Sequence, residues 1–321
     1  PIEKVPRTFG IAGDRVLEDE TADWNIFEDG GEAAYQALAS VMYGTPEKGR
    51  VGIYGVYRDQ VESDLRRQTQ VGVVDVYADV PVKLTSADLR FALETAGIFG
   101  TTNRGASYNS RDGLSVGSGG FTALAEAKVK PLDLRGVLRF GLASGDENPD
   151  DAASGAFSFD RDFDVGLVMF KQVQGSVDAA AYAQLSDPEH SGGAPDGAES
   201  VVGEGAFRQA MFLQPIASVV PIRNVEVKVG VLLAWATAPI SQPYATYRNG
   251  GVPANFLGET TEGYDLGSEI DWSLKLGDRD VTVLGAKLRP AILVQGGHYF
   301  ASADMGGGVH HLATGSVRLR W

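Results

Sequence analysis

Seven carboxylates crowd the stretch GDENPDDAASGAFSFDRDFD: Asp146, Glu147, Asp150, Asp151, Asp160, Asp162 and Asp164. Oxygen ligands at such density suit a hard cation, and Ca²⁺ takes about six to eight of them. Asp146, Glu147, Asp150, Asp151, Asp160 and Asp162 are therefore the candidate ligands of a structural Ca²⁺. Their spacing matches no EF-hand loop, and a solvated acidic loop accounts for the same residues. Other chemistry is thin. The histidines are His190, His298, His310 and His311. The adjacent pair points to opposite faces of a strand, which makes a poor metal site. His298 or His311 beside a serine is the most a hydrolase could use, and no Gly-x-Ser-x-Gly, His-Glu-x-x-His or phosphate-loop pattern is present. GSGG and MGGGV are glycine turns without the helix that a nucleotide site requires. The absence of cysteine excludes disulfides and thiolate chemistry. The expectation is a non-enzyme with no cofactor, the Ca²⁺ aside.

A second set of side chains is placed by alternation. In LRGVLRFGL, Arg135 and Arg139 oppose Leu134, Leu138, Phe140 and Leu142. In FTALAEAKVKP, Glu126, Lys128 and Lys130 oppose Phe121, Ala123, Ala125, Ala127 and Val129. VDVYADVPVKL sets Asp75, Tyr77, Asp79 and Lys83 against a row of valines, and the final ATGSVRLRW sets Arg318 and Arg320 against Val317, Leu319 and Trp321. Period two marks strands whose two faces meet different surroundings.

Such segments follow one another along the chain: AAYQALASVMY, VGIYGVY, LRFALETAGIF, DVGLVMF, VDAAAYAQL, a less regular 207–220, VEVKVGVLLAW, LGSEIDWSLKL and VTVLGAKLRPAILV. With VPRTFGIAG ahead of them, the reading is about fourteen antiparallel strands. Short connections (GTPEKG, TSAD, PLD, PIRN, LGDRD) alternate with long ones near 61–70, 101–118, 145–162, 186–204 and 238–262. Loop length in phase with strand direction is the habit of outer-membrane barrels, with short periplasmic turns and long outer loops. The expected fold is all-β: a transmembrane, antiparallel, up-and-down β-barrel over residues 33–321, whole or part of a larger barrel of about 18 strands. Residues 1–32 form an N-terminal segment, an outer loop with at most one strand. A soluble β-sandwich is the competing reading. No run of about 18 apolar residues is present to make a transmembrane helix. PIEKVPRTFG lacks the apolar core of a signal peptide, as expected of a mature chain, a fragment, or a protein that never had one. Tyr35, Tyr43, Tyr57, Trp235, Trp272, Tyr299 and Trp321 fall near strand ends, where interfacial aromatic girdles belong.

On this register the lumen receives Arg58, Lys83, Arg90, Lys128, Lys130, Arg135, Arg139, Lys228, Lys275, Lys287, Arg289, Arg318 and Arg320. Facing them are Asp75, Asp79, Glu94, Glu126, Asp178, Glu226, Glu269 and Asp271. The wall is basic although the chain carries a net charge of -14. Arg90, Lys128, Lys130, Arg135, Arg139, Lys228, Lys287, Arg289, Arg318 and Arg320 are the expected selectivity set, because a basic lumen concentrates anions. Cross-wall ion pairs in a plugged barrel are the other use for the same residues. The net charge excludes a general nucleic-acid binder.

The stretch from Arg139 to Phe170 resembles barrels of the alginate-export type. It carries their Gly-Asp-x-Asn-Pro-x-Asp loop core as Gly145, Asp146, Asn148, Pro149 and Asp151, then a Phe-Asp pair, Phe159 and Asp160, before the next strand. The resemblance implies a monomeric outer-membrane channel that passes a polymer or small solute passively. The expected function is a channel of the bacterial outer membrane for anionic solutes or exopolysaccharide, set in lipid and lipopolysaccharide. The alternative is a structural barrel that holds an outer-membrane partner complex at the cell surface.

Overall fold

VDVYADVPVKL forms the strand its alternation predicts, and the burial is inverted relative to a soluble protein. Asp75 is 2% exposed and Asp79 6%, while Val74, Val76, Val80 and Val82 are all exposed. The same inversion holds on neighbouring strands, where Ile53, Leu93, Leu138 and Val229 are exposed and Gln214, Glu269 and Asp271 are buried. The structure, a computed structural model, describes residues 6–16, 33–62, 67–103, 112–130, 133–148, 151–187, 189, 205–260, 263–277, 281–283 and 286–320.

The strands are β1 (Arg7–Val16), β2 (Ala33–Thr45), β3 (Gly49–Glu62), β4 (Arg67–Lys83), β5 (Ala87–Thr102), β6 (Leu114–Val129) and β7 (Leu134–Ala143). They continue with β8 (Ala153–Ser154), β9 (Ala210–Ile222), β10 (Val225–Ala236), β11 (Asp265–Gly277), β12 (Val281–Val283), β13 (Ala286–Ala301) and β14 (Val309–Arg320). Among the described residues, thirteen pair antiparallel in up-and-down order; only the two-residue β8 runs parallel, beside β6. Two helices, α1 (Gly175–Ser186) and α2 (Pro243–Arg248), complete the described elements, with a π-helical turn over Met169–Gln174 leading into α1.

Twelve long strands stand where about fourteen were expected. DVGLVMF, read as a strand, is irregular chain and turn up to Val168, with only Met169 and Phe170 in the π-helical turn, and VDAAAYAQL, also read as a strand, lies in α1. A short apolar run does not distinguish strand from helix, and the alanine-rich VDAAAYAQL favours helix. Asp178 is thus helical and lines no strand. The long 61–70 loop is largely strand as well, because β3 extends to Glu62 and β4 starts at Arg67. Losing two strands preserves the alternation of connections. One end of the sheet has the short turns 46–48, 84–86, 130–133 and 223–224, where Asn224 takes a left-handed φ of 73°. The other end carries the long segments 144–209 and 237–264.

The register staggers steadily. Stepping between paired residues from Arg7 leads through Tyr43, Val51, Ala78, Leu93, Ala123, Phe140, Leu213, Leu233, Ser268 and Phe300 to Val309. Val309 begins β14, eleven residues before its end at Arg320. Among the described ladders β1 pairs only β2 and β14 only β13, so these two strands are the edges.

The hydrophobic core does not lie between two sheets. It lies between the polar-bearing face of the one sheet and the described residues of the 144–209 segment. Phe157, Val165, Met169, Phe170 and Phe207 of that segment pack on Ala143, Phe212, Leu232 and Tyr299 of the strands. Tyr299, expected in an outer girdle, is fully buried here and donates its hydroxyl to the Leu266 carbonyl at 2.6 Å.

Candidate functional site

The inserted segment is held at one point by a strand side chain. Glu269 of β11 has no exposed surface. Its Oε1 accepts the backbone N–H groups of Leu167 at 2.5 Å and Val168 at 2.9 Å, and its Oε2 accepts that of Met169 at 2.6 Å. Three successive N–H groups make an anion-binding nest, and they open a helical run whose dipole favours negative charge at this end. Two glycines make room. Gly166 turns the chain with φ of 67°, and a Cβ there would stand 2.8 Å from Glu269 Oε1 and 2.8 Å from Leu232 Cδ2. A Cβ on Gly297 would meet Asp271 Oδ1 at 2.7 Å and Val168 Cγ2 at 2.8 Å. The segment and the wall are fitted together around this carboxylate.

Arg139 is the second anchor. One of the residues expected in the lumen, it donates to Gln214 Oε1 at 2.9 Å and to the Asp164 carbonyl at 2.8 Å. Its guanidinium stands 5.5 Å from the Phe163 ring centre and 5.7 Å from that of Phe212. Around it Phe157, Phe159, Phe163, Phe170, Phe207 and Phe212 form one aromatic cluster, with Phe159 stacked on Phe163 at 4.5 Å. Such pairs gain from ring quadrupoles beyond area burial. Lys171 pairs with Asp164 inside the same segment. R139A is expected to loosen the segment by about 2–3 kcal/mol, from two hydrogen bonds and a cation–π stack. R139K should recover less than half, because an ammonium cannot reproduce the planar fork. Limited proteolysis of residues 145–209 in the folded protein is the measurement.

Several of the other residues expected in the lumen are paired on the polar-bearing face of the sheet. Arg90 grips Asp79 at 2.9 and 3.1 Å, Tyr77 donates to the same carboxylate at 3.1 Å, and Arg50 donates to Tyr77 at 2.8 Å. Arg135 makes a forked pair with Glu126 at 2.7 and 2.9 Å, and Lys130 pairs with Asp88 at 2.9 Å. Lys128 lies opposite Arg135, and Lys228 opposite Ser218 and Ser273. Arg289 and Arg318 lie on the same face of β13 and β14, and Arg289 has a partner of its own. Lys287 and Arg320 lie on those strands by backbone; their side chains fall outside the described residues. The wall therefore spends much of its basic set on pairs and on the insertion.

The acidic loop does not converge on a point. Asp146 accepts backbone N–H groups from Asn148 at 3.1 Å and Gly155 at 3.2 Å, one on each oxygen. Burial pushes its carboxyl up from the ordinary range, with those two bonds and nearby Arg208 acting the other way. Asp151 accepts from the Ala153 N–H at 2.7 Å and Asp160 from that of Asp162 at 2.7 Å. Glu147 and Asp162 are exposed, and Asp150 lies outside the described residues. Among the described residues no three acidic or histidine side chains come together as a metal set. Three of the expected Ca²⁺ ligands, Asp146, Asp151 and Asp160, thus each staple their own turn through a local backbone N–H. Glu269, by contrast, was one acid among several in the alternation; nothing local singles it out.

No protein-family profile matches the chain, and no curated protein matches it. Among solved structures the chain is similar to CdiB from Escherichia coli, at 10% identity and a TM-score of 0.41, covering 98% of this chain and 50% of that one. The chain thus spans about half the length of that protein.

Proposed function

We propose that the protein is a β-barrel of the bacterial outer membrane, built for transport, whose interior is occupied by residues 157–173 and 205–209 of its own β7–β9 connection. The observation that carries this reading is the inverted burial: an exposed aliphatic face and a buried ionic one on the same strands. Lipid accepts the first, and the second needs water or protein. The stagger supports closure. Eleven residues accumulated over twelve strands give a tilt of about 30–35°, near that of closed barrels. The same stagger brings the start of β1 level with the end of β14, so both edges can pair. An even strand number and outward Tyr35, Tyr43 and Tyr57 near strand ends fit the same picture.

As a passage, such a barrel is closed by its insertion and opens when the insertion leaves. The exposed wall then has Lys128, Lys228 and Arg318 beyond the paired set, which favours anions weakly; with the alginate-export resemblance, this supports an anionic solute or polysaccharide. A second reading, a scaffold barrel that never opens, is favoured by how well the insertion fits.

The membrane itself is tested by charge on the outward face. V76R and L93R are each expected to cost about 2–4 kcal/mol of stability in phospholipid vesicles, as charges facing the bilayer midplane do. A92K, which places a charge on the inward face opposite Asp79, should cost little. Urea midpoints in vesicles give the comparison. In a soluble sheet the two outward variants would be harmless, and that result would end the barrel reading.

A further inference from the structure

We propose that His298 and His311 form a two-nitrogen site for a late first-row divalent cation such as Cu²⁺, Ni²⁺ or Zn²⁺ on the outward face of the β13–β14 hairpin. The two residues are directly opposite each other in the antiparallel ladder. Their Nδ1 atoms face at 2.7 Å, and the ring centres are 4.9 Å apart at 73°. His311 is exposed and His298 half-buried, and both lie within three residues of the strand ends at Ala301 and Val309, so the pair can be reached from the water at that end of the hairpin. The inference does not depend on the barrel or on transport.

The geometry is close to that of two ligands on one ion. Imidazole nitrogens bind such metals at about 2.0–2.1 Å, so neighbouring ligands stand about 2.9–3.3 Å apart. Opening the pair by a few tenths of an ångström needs only side-chain rotation, because the ladder fixes both backbones. In the metal-free pair, the short contact requires one ring to donate its Nδ1 proton to the other. On binding, that ring carries its proton on Nε2 instead, and both Nδ1 lone pairs turn to the metal with no net proton change. Water fills the remaining positions. Nitrogen-only sites of this kind favour Cu²⁺ over the other divalent ions. His310 cannot join, since it faces the opposite side and stacks on Tyr299 at 5.7 Å.

The test is a Cu²⁺ titration of the purified, folded protein, read by calorimetry and by electron paramagnetic resonance. The H190A/H310Q background removes the other two histidines. One equivalent of Cu²⁺ with hyperfine coupling to two nitrogens is expected, and H298A or H311A should weaken binding by about tenfold or more. The resonance spectrum of the unsubstituted protein reports two nitrogens even if a variant folds poorly. No stoichiometric binding, a one-nitrogen spectrum, or binding unchanged in both single variants would overturn the site and leave the pair a hydrogen bond only.

Discussion

E269A is expected to undock the 144–209 segment while leaving the sheet folded. The substitution leaves three backbone N–H groups, the partly buried one of Leu167 and the buried ones of Val168 and Met169, without their acceptor. An unsatisfied buried donor costs about 1–3 kcal/mol, and breaking a buried charged cluster from one side costs about 3–5 kcal/mol. That is on the order of a thousandfold in the ratio of docked to undocked segment. E269Q should fall between, since the amide keeps one acceptor oxygen but turns a donor on the remaining N–H groups. E126Q is the control: it removes the Arg135 pair at the short-turn end and should leave the insertion protected. The readout is protease cleavage within 145–209 at constant strand content by circular dichroism. Equal protection of the wild type and E269A would show that the aromatic cluster holds the segment without Glu269.

How far all this was legible depends on where each residue's partners lie. The alternation in VDVYADVPVKL was enough to put Asp75 and Asp79 on one face and the valines on the other, because that information is local. Connection lengths could be read in the same way, and two segments mistaken for strands did not disturb them, because a pair of strands removed together restores direction. The identity of 164–186 was not legible. DVGLVMF has the composition of a strand, yet the N–H groups of Leu167, Val168 and Met169 go to Glu269, about 100 residues further along, rather than to a neighbouring strand. The carboxylate binds backbone N–H groups, which every sequence contains, so the site leaves no side-chain signature on its partner. The acidic loop shows the opposite case: its many carboxylates are a strong composition signal, and Asp146, Asp151 and Asp160 are used within two to nine residues of themselves. For the histidines, the local signal is the adjacency of His310 and His311, which face opposite sides of β14. His298 and His311 are 13 residues apart and are matched only by the register of their hairpin.

Excising residues 145–208 and joining β7 to β9 by a short Asn-Gly turn is expected to convert the closed protein into an open pore. The join is feasible because Leu142 and Met211 already face each other in the ladder. Twelve strands at the observed stagger enclose a barrel about 22 Å across between backbones, wider than side chains alone can fill. In planar bilayers the wild type should show rare or no steps, and the excised variant stable ones, with conductance higher by about tenfold or more. Selectivity in the opened variant should lean to anions and shift toward cations in R318E, because Arg318 faces inward from β14. E269A should give intermediate behaviour, short openings that end as the segment returns, since it loosens the same insertion without removing it. The order of the three proteins matters more than any single conductance. If the excised variant folds and stays silent, the insertion is not what closes the barrel, and the scaffold reading takes its place. If it conducts while E269A remains closed, the aromatic cluster around Arg139 is the latch, and Glu269 serves to shape the helical turn rather than to keep it in place.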